Sequence, residues 1–126
     1  MKILICCIFS IMTLLLLQSC KKDHEPVSKQ YVIDTTLTSG VEYQLNLKSY
    51  GDEDDVATII KQGINFNTSE IIDNSGIFAP VYHYTAVTKG GLTDQVVLSI
   101  KEGNSRNNCN RHNGDSTTIT INFTVK

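Results

Sequence analysis

Apolar and polar residues alternate one by one in run after run along the chain beyond its N-terminal stretch. In Thr117, Ile119, Ile121, Phe123 and Val125 one set points one way, and Thr118, Thr120, Asn122, Thr124 and Lys126 point the other. Val41, Tyr43, Leu45 and Leu47 repeat the pattern against Glu42, Gln44, Asn46 and Lys48, as do Val96, Leu98 and Ile100. Successive strand side chains face opposite sides of a sheet, so each run predicts a strand with one face buried. Tyr31 to Thr38 and Pro80 to Thr88 add two more, rich in aromatic and β-branched residues. Ser39-Gly40, Asn74-Ser75-Gly76, Gly90-Gly91 and Asn113-Gly114 supply turns between them.

The middle has two readings. Asp52 to Gly63 fits a short helix, with Asp52 as N-cap, Val56, Ile59 and Ile60 on one side, and Gly63 as the stop. The same stretch also fits strand pieces at Thr58-Ile59-Ile60 and at Ile64 to Ile71, and the strands are preferred. Six or seven strands with no long helix and no internal repeat predict an all-β fold, a single antiparallel β-sandwich of about seven strands.

The beginning of the chain obeys a different pattern. Lys2 precedes an apolar run from Ile3 to Leu17, interrupted only by Ser10 and Thr13, and Leu17-Gln18-Ser19-Cys20 closes it. A spanning helix needs ~20 apolar residues; this run is shorter, and Lys21, Lys22 and Asp23 follow almost at once, so a cleaved export signal fits better. Leu-x-Ser-Cys resembles the lipobox of bacterial lipoproteins, with Gln18 departing from the small or aliphatic residue usual there. The resemblance implies diacylglycerol on the Cys20 thiol and cleavage before it; the plainer alternative is an ordinary secretory signal. The expected organisation is a signal over 1–19, a lipidated tether over 20–29 and one sandwich domain over 30–126. Lys21-Lys22-Asp23-His24-Glu25 is similar to short acidic tags that carry some lipoproteins to the outer face of the outer membrane, although a solvated tether would look the same. A lipid-anchored place in the cell envelope, at the outer membrane and displayed on the surface, follows as the expectation.

Processing would leave 107 of the 126 residues, one domain's worth. The formal charge of −2 becomes one unit more negative when Lys2 leaves. A mildly acidic chain with no basic stripe argues against nucleic acid and against an electrostatic membrane patch, so the membrane is met through the acyl chains. Cys6 and Cys7 leave with the signal and Cys20 is alkylated, so Cys109 remains alone and no internal disulfide can form. Such a domain holds together by packing.

Tyr82-x-Tyr84-Thr85, then Thr93-Asp94-Gln95-Val96-Val97-Leu98, then Thr118-Ile119-x-Ile121-x-Phe123-x-Val125 resemble the second half of bacterial Ig-like, cadherin-like modules. The likeness covers roughly residues 80–126 and departs at Ala86, where those modules have proline, and at Leu92, where they have glycine. It implies an Ig-like sandwich that serves display, spacing or binding without catalysis. Fold alone does not fix function.

Candidate chemistry is sparse. Between the last two strands, Glu102 to Asp115 carries Cys109 and His112 three apart, and thiolate with imidazole suits copper or zinc. A closed site needs four ligands; His83, His24 or a carboxylate would have to complete it, and a polar loop with a solvent-facing thiol is the plainer reading. Asp52-Glu53-Asp54-Asp55 could attract calcium, yet it lacks the spacing of a calcium loop. His83 belongs to the face of Val81 and Thr85, where an outward, hydrogen-bonded role is expected. Exposed tyrosines on that strand could meet glycan, although the resemblance puts one of Tyr82 and Tyr84 in the core and the chain has no Trp. Asp34-Thr35-Thr36 and Asp115-Ser116-Thr117 resemble an O-glycan acceptor used by some envelope-secreting bacteria, which would place sugar on Thr35 and Ser116. No nucleophile elbow, phosphate-binding glycine loop or zinc-protease helix is present. The expectation is a non-enzymatic lipoprotein, without cofactor, that contacts an envelope or extracellular protein. A metal-handling lipoprotein and an accessory subunit of a surface complex are the alternatives.

Overall fold

The computed structural model describes residues 26–73, 79–103 and 114–126. Among the described residues seven strands lie in chain order: β1 (Ser28–Leu37), β2 (Glu42–Asn46), β3 (Asp55–Lys61), β4 (Phe66–Ile72), β5 (Val81–Ala86), β6 (Leu92–Glu102) and β7 (Ser116–Val125). One sheet has the order β1-β7-β6-β3 and the other β2-β5-β4. A short 3-10 turn at Lys48–Tyr50 is the only helical element among the described residues. The expected two-sheet β-sandwich is therefore the fold of the chain.

The alternation in the sequence maps directly onto burial. Val96, Leu98 and Ile100 from β6, Ile119, Ile121, Phe123 and Val125 from β7, and Tyr82, Tyr84 and Ala86 from β5 form the core. Fully burying one such large side chain contributes roughly 1.5–3 kcal/mol. An aromatic stack joins the two layers. Tyr84 lies on Phe123 with ring centroids 4.0 Å apart and planes within 9°, and Tyr43 meets the same ring edge-on at 5.4 Å. Offset and edge-to-face contacts of this kind suit the ring quadrupoles.

Three features bear on the sequence reading, two of them as departures. First, β1 pairs with β7 in parallel, Ser28 opposite Ser116 and Leu37 opposite Val125, while the remaining pairs are antiparallel. Second, the preferred strand reading of Asp52 to Gly63 holds over the helix: Ala57 and Ile59 pair with Ile100 and Leu98, and the core takes them as strand residues. Third, β4 begins at Phe66 and not at Ile64, and Val41 lies half-exposed in the turn before β2. Gly40, beside it, has φ +73°, a left-handed conformation that glycine adopts without strain.

The strand directions give the sandwich two ends. At one lie the starts of β1, β3, β5 and β7. At the other lie the β1–β2 turn, the β3–β4 corner at Gln62–Asn65, and the β5–β6 turn, where Gly91 donates its N–H to Val125.

Candidate functional site

The most heavily constructed place on the molecule is the β3–β4 corner, and it is built on Asp94. In β6, Asp94 keeps the inward parity of Val96, Leu98 and Ile100, so the strand carries a carboxylate into the packed interior, where it is 8% exposed. An unpaired carboxylate there would be prohibitively costly, and every bond it accepts answers that. The N–H of Ile64 donates to Oδ1 at 2.9 Å, and the N–H of Asn65 to Oδ2 at 2.9 Å. Its own neighbour Gln95 donates to Oδ1 at 2.9 Å, and the Tyr84 hydroxyl to Oδ2 at 2.7 Å.

Burial pushes the Asp94 carboxyl up, but these hydrogen bonds outweigh it and hold the group below its ordinary value. The Tyr84 phenol is pushed the other way, by burial first and by the adjacent carboxylate second. Donor and acceptor therefore stay fixed in their roles across the ordinary pH range. Burial also raises Tyr82, to about 12, against the opposing bond with Ser69.

Gly63 completes the corner. A Cβ on it would lie 2.4 Å from Asp94 Oδ2, so only glycine lets the backbone approach the carboxylate this closely. The result is an anchored backbone with a free side chain: Ile64 has its N–H bound to Asp94, yet its side chain is 85% exposed. A shallow depression of about 410 Å³ adjoins it, walled by Lys61, Ile64, Gln95, Asn122 and Thr124.

Across the neighbouring sheet surface runs a polar ladder. Lys61 Nζ donates to Gln95 Oε1 at 2.6 Å, Gln95 Nε2 to Asn122 Oδ1 at 2.8 Å, and Asn122 Nδ2 to Asp34 Oδ1 at 2.8 Å. It crosses all four strands of that sheet.

The opposite end offers a smaller cleft of about 140 Å³, where Tyr31 and Tyr50 meet edge-on at 5.0 Å beside Ser49, Asp52, Asp55 and Thr117. Small-molecule sites are typically ~300–1,000 Å³, so this one suits a few waters better than a ligand. Asp52 to Asp55 form a turn in which Asp55 accepts the N–H of Asp52 at 2.9 Å.

The residues singled out in the sequence are scattered. Cys20, His24, Cys109 and His112 lie outside the described residues, as does the export signal. Thr35 is half-buried in β1, and Ser116 is half-buried at the start of β7. His83 faces outward in β5, with Nδ1 2.6 Å from Glu42 Oε1, the hydrogen-bonded role expected of it. Tyr82 and Tyr84 are both fully buried, so neither offers a surface for glycan. Among the described residues, no three His, Cys, Asp or Glu side chains are grouped to hold a metal. Asp94 entered the sequence reading only as part of a resemblance. The signal that marks it is a carboxylate at an inward position of an otherwise apolar strand face.

No protein family matches the chain, and no curated protein matches it. Among solved structures, an endo-fucoidan hydrolase of glycoside hydrolase family 107 matches 75% of this chain at 13% identity and a TM-score of 0.47. The chain spans only 12% of that enzyme's length. A cysteine protease inhibitor from Entamoeba histolytica matches 81% of this chain and 100% of its own, at 9% identity and a TM-score of 0.43. Amebosin has the same coverage at 15% identity and a TM-score of 0.40. All three fall below a TM-score of 0.5, so the function of none of them transfers.

Proposed function

We propose that the chain is a cell-envelope lipoprotein, anchored through Cys20, whose β-sandwich is a non-enzymatic contact module that meets a protein partner at the Gln62–Asn65 corner. One observation carries the contact: Ile64 is 85% exposed on backbone that is already pinned by Asp94. A lone exposed aliphatic residue is common. Ile64 lies in a corner and not in a strand, and ordering a loop on binding is among the main costs of association, which this corner has met in advance. The depression beside it would receive a side chain from the partner, while Lys61 and the polar ladder supply a wet rim. The anchor is supported by the signal-like start and the Leu-x-Ser-Cys sequence.

A photo-crosslinking residue at position 64 of the full chain in cells tests the contact, with position 70 on the other sheet as control. A discrete adduct with another protein from 64 and none from 70 is expected; no adduct from 64, or equal adducts from both, overturns the contact. Radioactive palmitate should label the native chain and not Cys20→Ala, and an unlabelled native chain overturns the anchor.

A further inference from the structure

We propose that β1 is a dimerisation edge, on which a second copy of this chain adds its own β1 antiparallel, so that two four-stranded sheets become one. The inference goes beyond the corner contact and uses none of its residues.

Every sheet edge is a row of unpaired backbone groups that invites another strand, and proteins ordinarily blunt it. Three of the four edges here are blunted. β2 is short, at five residues. β3 has a register shift between Ile59 and Lys61. β4 has another between Phe66 and Thr68, and the Gln62 amide also covers it, bonding both the backbone carbonyl and the hydroxyl of Ser69. β1 has none of these devices: it is ten residues long, and its register against β7 is unbroken.

The backbone directions define what β1 offers. The carbonyls of Val27 and Leu37 accept from Ser116 and Lys126, so odd-numbered residues turn their backbone groups toward β7. By the strand's period of two, Ser28, Gln30, Val32, Asp34 and Thr36 turn theirs away from it. Among the described residues no backbone hydrogen bond reaches this outward set.

That set is centred on Val32, so a second copy of the same strand can meet all of it. With a two-fold axis at Val32, Val32 faces its own copy, Gln30 faces Asp34, and Ser28 faces Thr36. Every outward N–H and C=O of both strands then finds a partner at once, the self-complementary arrangement an isologous dimer requires. The side chains agree. Val32, 67% exposed in the single chain, is sheltered at the axis. The Gln30 amide meets the Asp34 carboxylate, and half-exposed Tyr31 lies opposite Ile33. Sliding the partner by two residues sets Val32 against Gln30 or Asp34 and leaves outward groups bare at both ends.

Sedimentation equilibrium of the full chain in density-matched detergent tests this. The native chain should show twice the mass of one chain. Val32→Pro removes an N–H that no intrachain bond uses, and Val32→Lys sets two like charges on the axis. Both should sediment as single chains with unchanged circular dichroism and melting temperature. Ile64→Ser, on the corner, should stay double. A native chain of single mass, a Val32→Pro or Val32→Lys chain that stays double, or an Ile64→Ser chain that falls to single mass each overturns the proposal.

Discussion

Asp94 and Glu42 are both carboxylates that accept hydrogen bonds from side chains, and they do opposite amounts for the molecule. Asp94 is buried, takes its donors from three segments of the chain, and fixes a corner. Glu42 sits on the open face of the smaller sheet, with His83 Nδ1 2.6 Å from one oxygen and Gln44 Nε2 3.0 Å from the other. Both carboxyls are held below their ordinary values, Glu42 mainly by its bond to His83. Yet Glu42 exchanges water for His83 and back at little net change, because solvent screens the pair and solvates either partner when it is alone. Around Asp94 the alternative is not free exchange with water but four donors, from Ile64, Asn65, Gln95 and Tyr84, that lose their acceptor in a partly or fully buried place. What a carboxylate is worth to this fold is decided by what its donors would meet without it.

The largest break in that contrast is Asp94→Ala. It takes the acceptor from the N–H groups of Ile64, Asn65 and Gln95 and leaves the Tyr84 hydroxyl only its longer bond, at 3.2 Å, to the Asn65 carbonyl, so unfolding in urea should show a loss of about 3 kcal/mol or more. Gly63→Ala attacks the same corner by volume. The new methyl must displace the carboxylate or the backbone, for a loss of about 2 kcal/mol by the same measurement. The smallest effect sharpens the comparison through pH. The folded value of Asp94 lies below its ordinary 3.8, so its contribution is complete above that value and is lost as the pH falls through the lowered one. Stability against acid below about pH 4 should therefore fall less steeply in Asp94→Asn than in the native chain. Glu42→Gln should soften that acid limb less than Asp94→Asn does, since solvent screens its pair, and a shift as large as that of Asp94→Asn would refute the contrast.

The sequence showed the sheets' inner faces clearly because burial imposes a period of two on neighbouring residues. Thr117 to Val125 and Val96 to Ile100 need no partner strand to announce which side faces the core. It was silent on the parallel match of β1 with β7, since register between strands some ninety residues apart leaves no local trace. The start of β4 went wrong for a related reason. Ile64 continues an apolar run, but Asp94, thirty residues away, claims the N–H groups of Ile64 and Asn65 and keeps them out of the ladder. The corner was thus hidden in a single inward carboxylate, whose partners only the folded chain reveals.

β7 lies inside its sheet, flanked by β1 on one side and β6 on the other, although it is the latest of the seven strands in chain order. During synthesis, β1 therefore waits without its partner strand until residues 116–125 have emerged. Assembly of this sheet is dominated by distant pairings that are slow to find one another.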